Sequence, residues 1–186
     1  MKYIVVNDFD YVQGGASKVA IENAMLLHRT GESVVFFSGC SKNEKYPFPV
    51  FSLNQKEVAN GQNPFRNLYN KKAINSLMNL INDSDEYIVI IHGWTKILSS
   101  SIFKVGKKKN VSVILTCHDY FSVCANGGLY NYGKDKICFK KCLSASCILC
   151  NCDSRNYCVK MYKIFWLKSE IVIYFLIYLW ILTILY

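Results

Sequence analysis

Residues 2–29 read KYIVVNDFDYVQGGASKVAIENAMLLHR, and their order decides the fold. Lys2 to Val6 is a short Ile/Val run bounded by the turn formers Asn7, Asp8 and Asp10, which is the pattern of a buried strand. A loop to Gln13 follows, then Gly14 and Gly15. From Ala16 the apolar or small positions 16, 19, 20, 24 and 27 recur at helical spacing, and Gly31 supplies a stop signal just past Arg29. Strand, glycine turn and helix in succession are the opening unit of an α/β sheet.

The same alternation continues outward from that unit. Ser33 to Ser38 reads as a second strand, and a short one lies around Val50 to Leu53 after Pro47 and Pro49. Asn67 to Asn82 carries Leu68, Ile74, Leu77, Met78 and Ile81 at helical intervals, which predicts an amphipathic helix. Glu86 to Ile91 reads as strand, Thr95 to Lys107 as helix, and Val111 to Thr116 as strand. Strands without internal polar alternation, separated by helices, predict a doubly wound, mostly parallel, Rossmann-like α/β sheet with right-handed crossovers. Ligands of such sheets bind beyond the carboxyl ends of the strands. Gly14 and Gly15, His92 and Gly93, and His118 and Asp119 all fall at those ends.

At 186 residues, 52% hydrophobic and 19% charged, the chain has the composition of one ordinary globular domain with a buried interior. The formal charge of +9 suits anionic partners, but no nucleic-acid motif accompanies it, so nucleic acid is not an expected partner. Lys107, Lys108 and Lys109 form the densest basic cluster, read as a solvated loop or a membrane-surface contact. Lys2 to Val6 is too short an apolar core for a secretory signal, so a cytoplasmic protein is expected. In that reducing setting, nine cysteines point to thiols or metal rather than disulfides.

Each candidate site residue has a functional and a plain structural reading. Gly14 and Gly15 open a helix whose unpaired amides can cradle a phosphate, or they form an ordinary turn; the third glycine of a dinucleotide fingerprint is absent, and Ser17 and Lys18 follow. His92 closes an apolar strand, where it suits proton transfer or a bond to a sugar hydroxyl, or serves as a satisfied structural histidine. His118 stands beside Asp119, which either orients the imidazole or caps the next segment. Seven cysteines cluster from Cys124 onward, and Cys147 and Cys150 have the two-residue gap of a metal knuckle. Cys124 and Cys138 complete a structural zinc quartet, with Cys142 and Cys152 as substitutes; the alternative is free buried thiols. Such a metal would pin the irregular region 119–153.

Taken together, Gly14-Gly15-Ala16-Ser17-Lys18-Val19-Ala20, His92-Gly93-Trp94 and Thr116-Cys117-His118-Asp119-Tyr120-Phe121 resemble the amino-terminal half of glycosyltransferase family 4. Cys124-Ala125-Asn126-Gly127-Gly128-Leu129 and the stretch from Cys147 to Arg155 look like a cysteine-bearing branch involved in polysaccharide assembly. The likeness spans residues 1–166, with 119–153 as a cysteine-rich insertion. It implies one half of a GT-B enzyme that moves a sugar from a nucleotide-sugar donor to a glycan or lipid-linked acceptor without a catalytic metal. In that family the amino-terminal domain receives the acceptor. By the resemblance Gly15 lies near the donor phosphates and His92 and His118 act catalytically at the cleft, with Gly14, Ser17, Lys18, Asp119 and Asn126 in the substrate-binding set.

After Trp166 the sequence has no second α/β domain and no pair of spaced glutamates, so a truncated transferase is expected. Losing the alignment a second domain provides removes an effect of roughly 7 to 11 kcal/mol on the barrier. Ile171 to Tyr186 contains one polar residue, Thr183, and as a helix would be about 24 Å long against a hydrocarbon core of ~30 Å. Residues 167–186 are therefore read as an apolar C-terminal helix at the inner face of the membrane or as the out-of-frame end of an interrupted gene. The rival to the transferase is a noncatalytic, membrane-tethered binding module organised by a cysteine-bound metal.

Overall fold

The computed structural model describes residues 1–55, 69–121, 123–154 and 156–168. The chain divides into two compact units, the first Met1–His118 and the second from Asp119 onward. The first unit contains β1 (Lys2–Phe9), α1 (Gly15–Arg29), β2 (Ser33–Cys40), β3 (Val50–Ser52), α2 (Lys71–Asn79), β4 (Tyr87–Ile91), a 3-10 turn at Ser100–Phe103, α3 (Lys104–Lys109) and β5 (Ser112–Leu115).

All five strands are parallel, in the order β3-β2-β1-β4-β5. Val5 of β1 pairs with Phe36 on one side and Ile90 on the other, so β1 is central. From β1 the chain builds outward through β2 and β3, then crosses to β4 and β5 on the opposite side. The carboxyl ends of β1 and β4 therefore flank the point where the winding reverses, the usual ligand position of an open parallel sheet.

The burial pattern explains why these segments form these elements. The small residues Ala20 and Ala24 let α1 lie close on a sheet face built by Val5, Val34 and Phe36, with Phe48 completing the cluster. Ile4 and Val6 point to the other face and are also fully buried, so both faces are covered. Burying each large aliphatic or aromatic side chain contributes roughly 1.5 to 3 kcal/mol. Gly31, at φ 85°, stops α1 as expected, its amide donating to the His28 carbonyl.

Two segments differ from the sequence reading. β1 continues through Asn7 and Asp8 to Phe9, with Asn7 opposite Ser38 and Phe9 opposite Cys40. Asn7 and Asp8 are buried because they have specific partners: Asn7 Nδ2 donates to the Phe9 carbonyl, and the Asp8 carboxylate accepts the amides of Lys96, Ile97 and Leu98, each at 2.9 Å. Those same bonds break up the predicted helix 95–107. Ser99 Oγ further captures the amides of Asn70 and Ser101, so side-chain oxygens replace the helical carbonyls and only α3 is regular. The predicted helix 67–82 appears as α2, capped by Asn70, whose Oδ1 accepts the Ala73 amide; residues 67 and 68 lie outside the described residues.

The second unit has little regular structure. An antiparallel pair, β6 (Tyr130–Asn131) and β7 (Lys136–Ile137), is followed by α4 (Ala145–Ile148) and α5 (Tyr157–Lys168). Among the described residues no helix is long and apolar enough to cross a membrane. The apolar tail expected at 171–186 lies outside the described residues.

Candidate functional site on the carboxyl rim of the sheet

The ladder between β1 and β4 extends one residue past Ile91, because the His92 amide donates to the Val6 carbonyl at 2.9 Å. This holds the His92 backbone at the rim, with its side chain only 4% exposed. His118, which follows β5, is exposed and brings its Nε2 to 3.0 Å from His92 Nδ1, the rings stacked at 5.2 Å. Burial, reinforced by the neighbouring His118, lowers the His92 pKa to about 4, so His92 is neutral near pH 7. One proton is shared between the two facing nitrogens.

The outward nitrogen of His92 identifies the favoured tautomer. His92 Nε2 is buried and has no partner among the described residues. A buried N–H left unpaired is less well tolerated than a bare acceptor. His92 therefore carries its proton on Nδ1 and donates it to His118, leaving Nε2 as an open lone pair that can accept from a hydroxyl. Ser38 Oγ, at the carboxyl end of β2, is also buried with no partner among the described residues. Ser38 belongs to β2 and His92 directly follows β4, the two strands that flank β1.

Gly93 has a close-packing role beside this pair. A Cβ there would stand 2.3 Å from Asn7 Oδ1, so any side chain at this position would have to displace the buried Asn7 amide. The turn beyond is held by the Ser99 amide, which donates to the Trp94 carbonyl, and by the Asp8 carboxylate. Burial pushes the Asp8 carboxyl above its usual range, while the three amides pull it back.

Gly14 and Gly15 are different. Neither has a φ in the left-handed region, Gly14 being extended, and a Cβ on either would meet nothing within 4 Å. The fold does not require glycine here, and what glycine leaves is bare, exposed backbone at the first turn of α1, whose amides have no intrahelical acceptors. Ser17 is buried and shapes this turn: its Oγ accepts the amides of Gln13 and Gly14 and donates to the Gly14 carbonyl. Lys18 is exposed, 3.8 Å from Glu22. Gly14, Gly15, His92 and His118 thus all follow the carboxyl ends of strands in a single sheet.

The chain matches no family model, no curated protein and no solved structure.

The remaining expected site residues belong to the second unit. Asp119 Oδ1 accepts the Phe121 amide and so caps the following turn. Asn126 spends its bonding capacity internally: Nδ2 donates to the carbonyls of Tyr130 and Cys152, and Oδ1 accepts from Gly128 and Cys124 Sγ. Of the expected zinc quartet, Cys124 and Cys147 are buried and Cys138 and Cys150 half-buried, all as free thiols. Among the described residues no three His, Cys, Asp or Glu side chains gather as a metal-holding group. Burial first, then the thiols of Cys124, Cys147 and Cys138, pushes the Cys142 pKa up. Cys150 lies beside Asn131 Nδ2, and the fully buried Lys160 donates to the carbonyls of Cys147, Ile148 and Cys150.

Asn7, Asp8, Ser38 and Asn70 escaped the sequence reading as contributors to this rim. The available signal was a polar pair directly continuing an apolar strand, which reads equally well as a turn until the partner amides of 96–98 are known.

Proposed function

We propose that residues 1–166 are the acceptor-side, Rossmann-like half of a GT-B glycosyltransferase of the family 4 type. It would act on a nucleotide-sugar and a glycan or lipid-linked acceptor in the assembly of a cell-surface polysaccharide. The observation that carries this reading is the shared rim: an open glycine turn at a helix N-terminus and a hydrogen-bonded histidine pair follow strand ends of one sheet. The bare first-turn amides of α1 suit a diphosphate, each such contact adding about 0.3 to 1 kcal/mol in exposed settings. His92 Nε2 suits a sugar hydroxyl, and His118 exchanges its proton with solvent on the other side of the shared bond.

In this scheme a second α/β domain closes over the donor, aligns it and excludes water. The work is done on the cytoplasmic side, with residues 171–186 at the membrane. The test is nucleotide-sugar turnover by the chain alone and with a supplied carboxy-terminal transferase domain. Turnover that appears on mixing, and falls about 100-fold or more in His92→Ala, supports the reading. Unchanged turnover in His92→Ala and His118→Ala overturns it.

A further inference from the structure

Beside the glycine turn and the histidine pair, the rim carries a separate concavity of about 420 Å³ on the side of β2 and β3. It is lined by Asp10, Ser41, Glu44, Phe51, Ser52 and Asn54, among others, and its size falls within the roughly 300–1,000 Å³ of small-ligand sites. The residues that form it were not singled out by motif or spacing.

Asp10 is the anchor. Its amide donates to the Cys40 carbonyl, extending the β1–β2 ladder, and the residue is 1% exposed. Oδ1 accepts the Lys42 amide at 3.2 Å, and the residue lines the cleft. The Tyr46 hydroxyl lies 2.5 Å from the Asp10 backbone carbonyl and 2.8 Å from Glu44 Oε2, linking the Glu44 side chain to the Asp10 backbone. Burial and the Glu44 carboxylate push the Tyr46 phenol above its usual range, so it remains a donor.

The other walls are complementary in type. Ser41 Oγ accepts the Asn43 amide at 2.8 Å and Ser52 Oγ accepts the Asn54 amide at 3.2 Å, so each hydroxyl keeps its proton to give. Phe51, on the edge strand, is 49% exposed and supplies an apolar ring face. Carboxylate acceptors, hydroxyl donors and one aromatic face match a pyranose, whose hydroxyls donate and accept in pairs and whose C–H face packs on a ring. The two carboxylates disfavour a phosphate or uronate, and the neighbouring Lys42 ammonium is held over the Tyr11 ring, 4.0 Å from its centroid.

We infer that this cleft binds a neutral, hydroxyl-rich saccharide, and, resting on the transfer reading above, that this saccharide is the non-reacting portion of the acceptor glycan. The bound sugar sits on the carboxylate side of the rim, while the anionic diphosphate belongs to the glycine turn of α1.

The experiment is amide-resolved NMR on the full chain, titrated with glucose, galactose, N-acetylglucosamine and their disaccharides, and in parallel with glucuronate and inorganic phosphate. Shifts of the 41–44 and 50–54 amides by a neutral sugar support the site. So does weakening of roughly three- to tenfold in Phe51→Ala, whose half-exposed edge position leaves the core intact, and of about tenfold in Asp10→Asn, which keeps the Oδ1 acceptor. The inference is overturned if no neutral sugar moves those amides, if phosphate or glucuronate moves them as strongly, or if Phe51→Ala binds like the wild type. Sugar binding here without turnover in the two-domain assay overturns the transfer reading and leaves the site standing. Turnover with these amides silent overturns the site alone.

Discussion

The two units of this chain are held together by different means. In the first, five parallel strands bury Val5, Phe36, Ile91 and their neighbours, and polar side chains concentrate at the carboxyl rim. In the second, the strands are two residues long, and side chains bonded to backbone do much of the holding: Asn126 ties Tyr130 and Cys152 together, and Lys160, on α5, gathers three carbonyls at the end of α4. The first unit would tolerate the loss of many single polar contacts, because its stability is spread over apolar area. The second depends on a few hubs.

The largest effect expected from breaking this contrast lies at the rim of the first unit. His92 has a folded pKa near 4 against an unfolded value of 6.5, so the unfolded chain binds its proton first as pH falls. The stability His92 contributes is therefore complete above about pH 6.5 and declines toward pH 4, by about 3 kcal/mol in all. Denaturant midpoints measured from pH 7 to 4 should fall more steeply for the wild type than for His92→Phe. Parallel curves would show that the imidazole is not held neutral.

Next in size is Lys160→Met, which leaves the carbonyls of Cys147, Ile148 and Cys150 without their donor. A cost of about 2 to 3 kcal/mol is expected, confined to the second unit. Hydrogen exchange would check it: amides of 124–152 lose protection while those of β1 and β4 keep theirs. Uniform loss across both units would erase the distinction between them.

The two kinds of glycine sharpen the comparison within the first unit. Gly93→Ala drives a methyl against Asn7 Oδ1 and should cost about 2 kcal/mol, partly recovered by adding Asn7→Ala. Thermal unfolding of the single and double variants measures both. The smallest effect is predicted for Gly14→Ala and Gly15→Ala, which meet only open space; stability should stay within about 0.5 kcal/mol while binding of a nucleotide diphosphate, followed calorimetrically, weakens. A large destabilisation would make the glycine turn a folding element rather than a ligand cradle.

How much of this was legible beforehand follows the same division. β2, β4, β5 and α1 match their predicted segments within a residue or two, because period and apolar run length respond to burial against a sheet. Predicted helix 95–107 was not legible as it stands, since its amides are taken by Asp8, roughly ninety residues away in sequence. The extension of β1 through Asn7 and Asp8 was hidden for the same reason. In the second unit the cysteine spacing suggested Cys124, Cys138, Cys147 and Cys150, with Cys142 and Cys152 as substitutes, and among the described residues no three such side chains gather as a metal-holding group. Spacing records distance along the chain, and in an irregular segment that says little about distance in space.

The residues alone determined the α/β alternation, the strands that carry it and the placement of Gly14, Gly15, His92 and His118 at strand ends. These properties follow from local periodicity and from the rule that every parallel strand must bury both faces. Only the tertiary structure decided that His92 faces His118, that Ser38 Oγ and His92 Nε2 have no partner among the described residues, and that Asp10 lies with Glu44 and Phe51 around a cleft. Each of those depends on which strand neighbours which, and strand order is set by long-range packing that no local window of sequence contains.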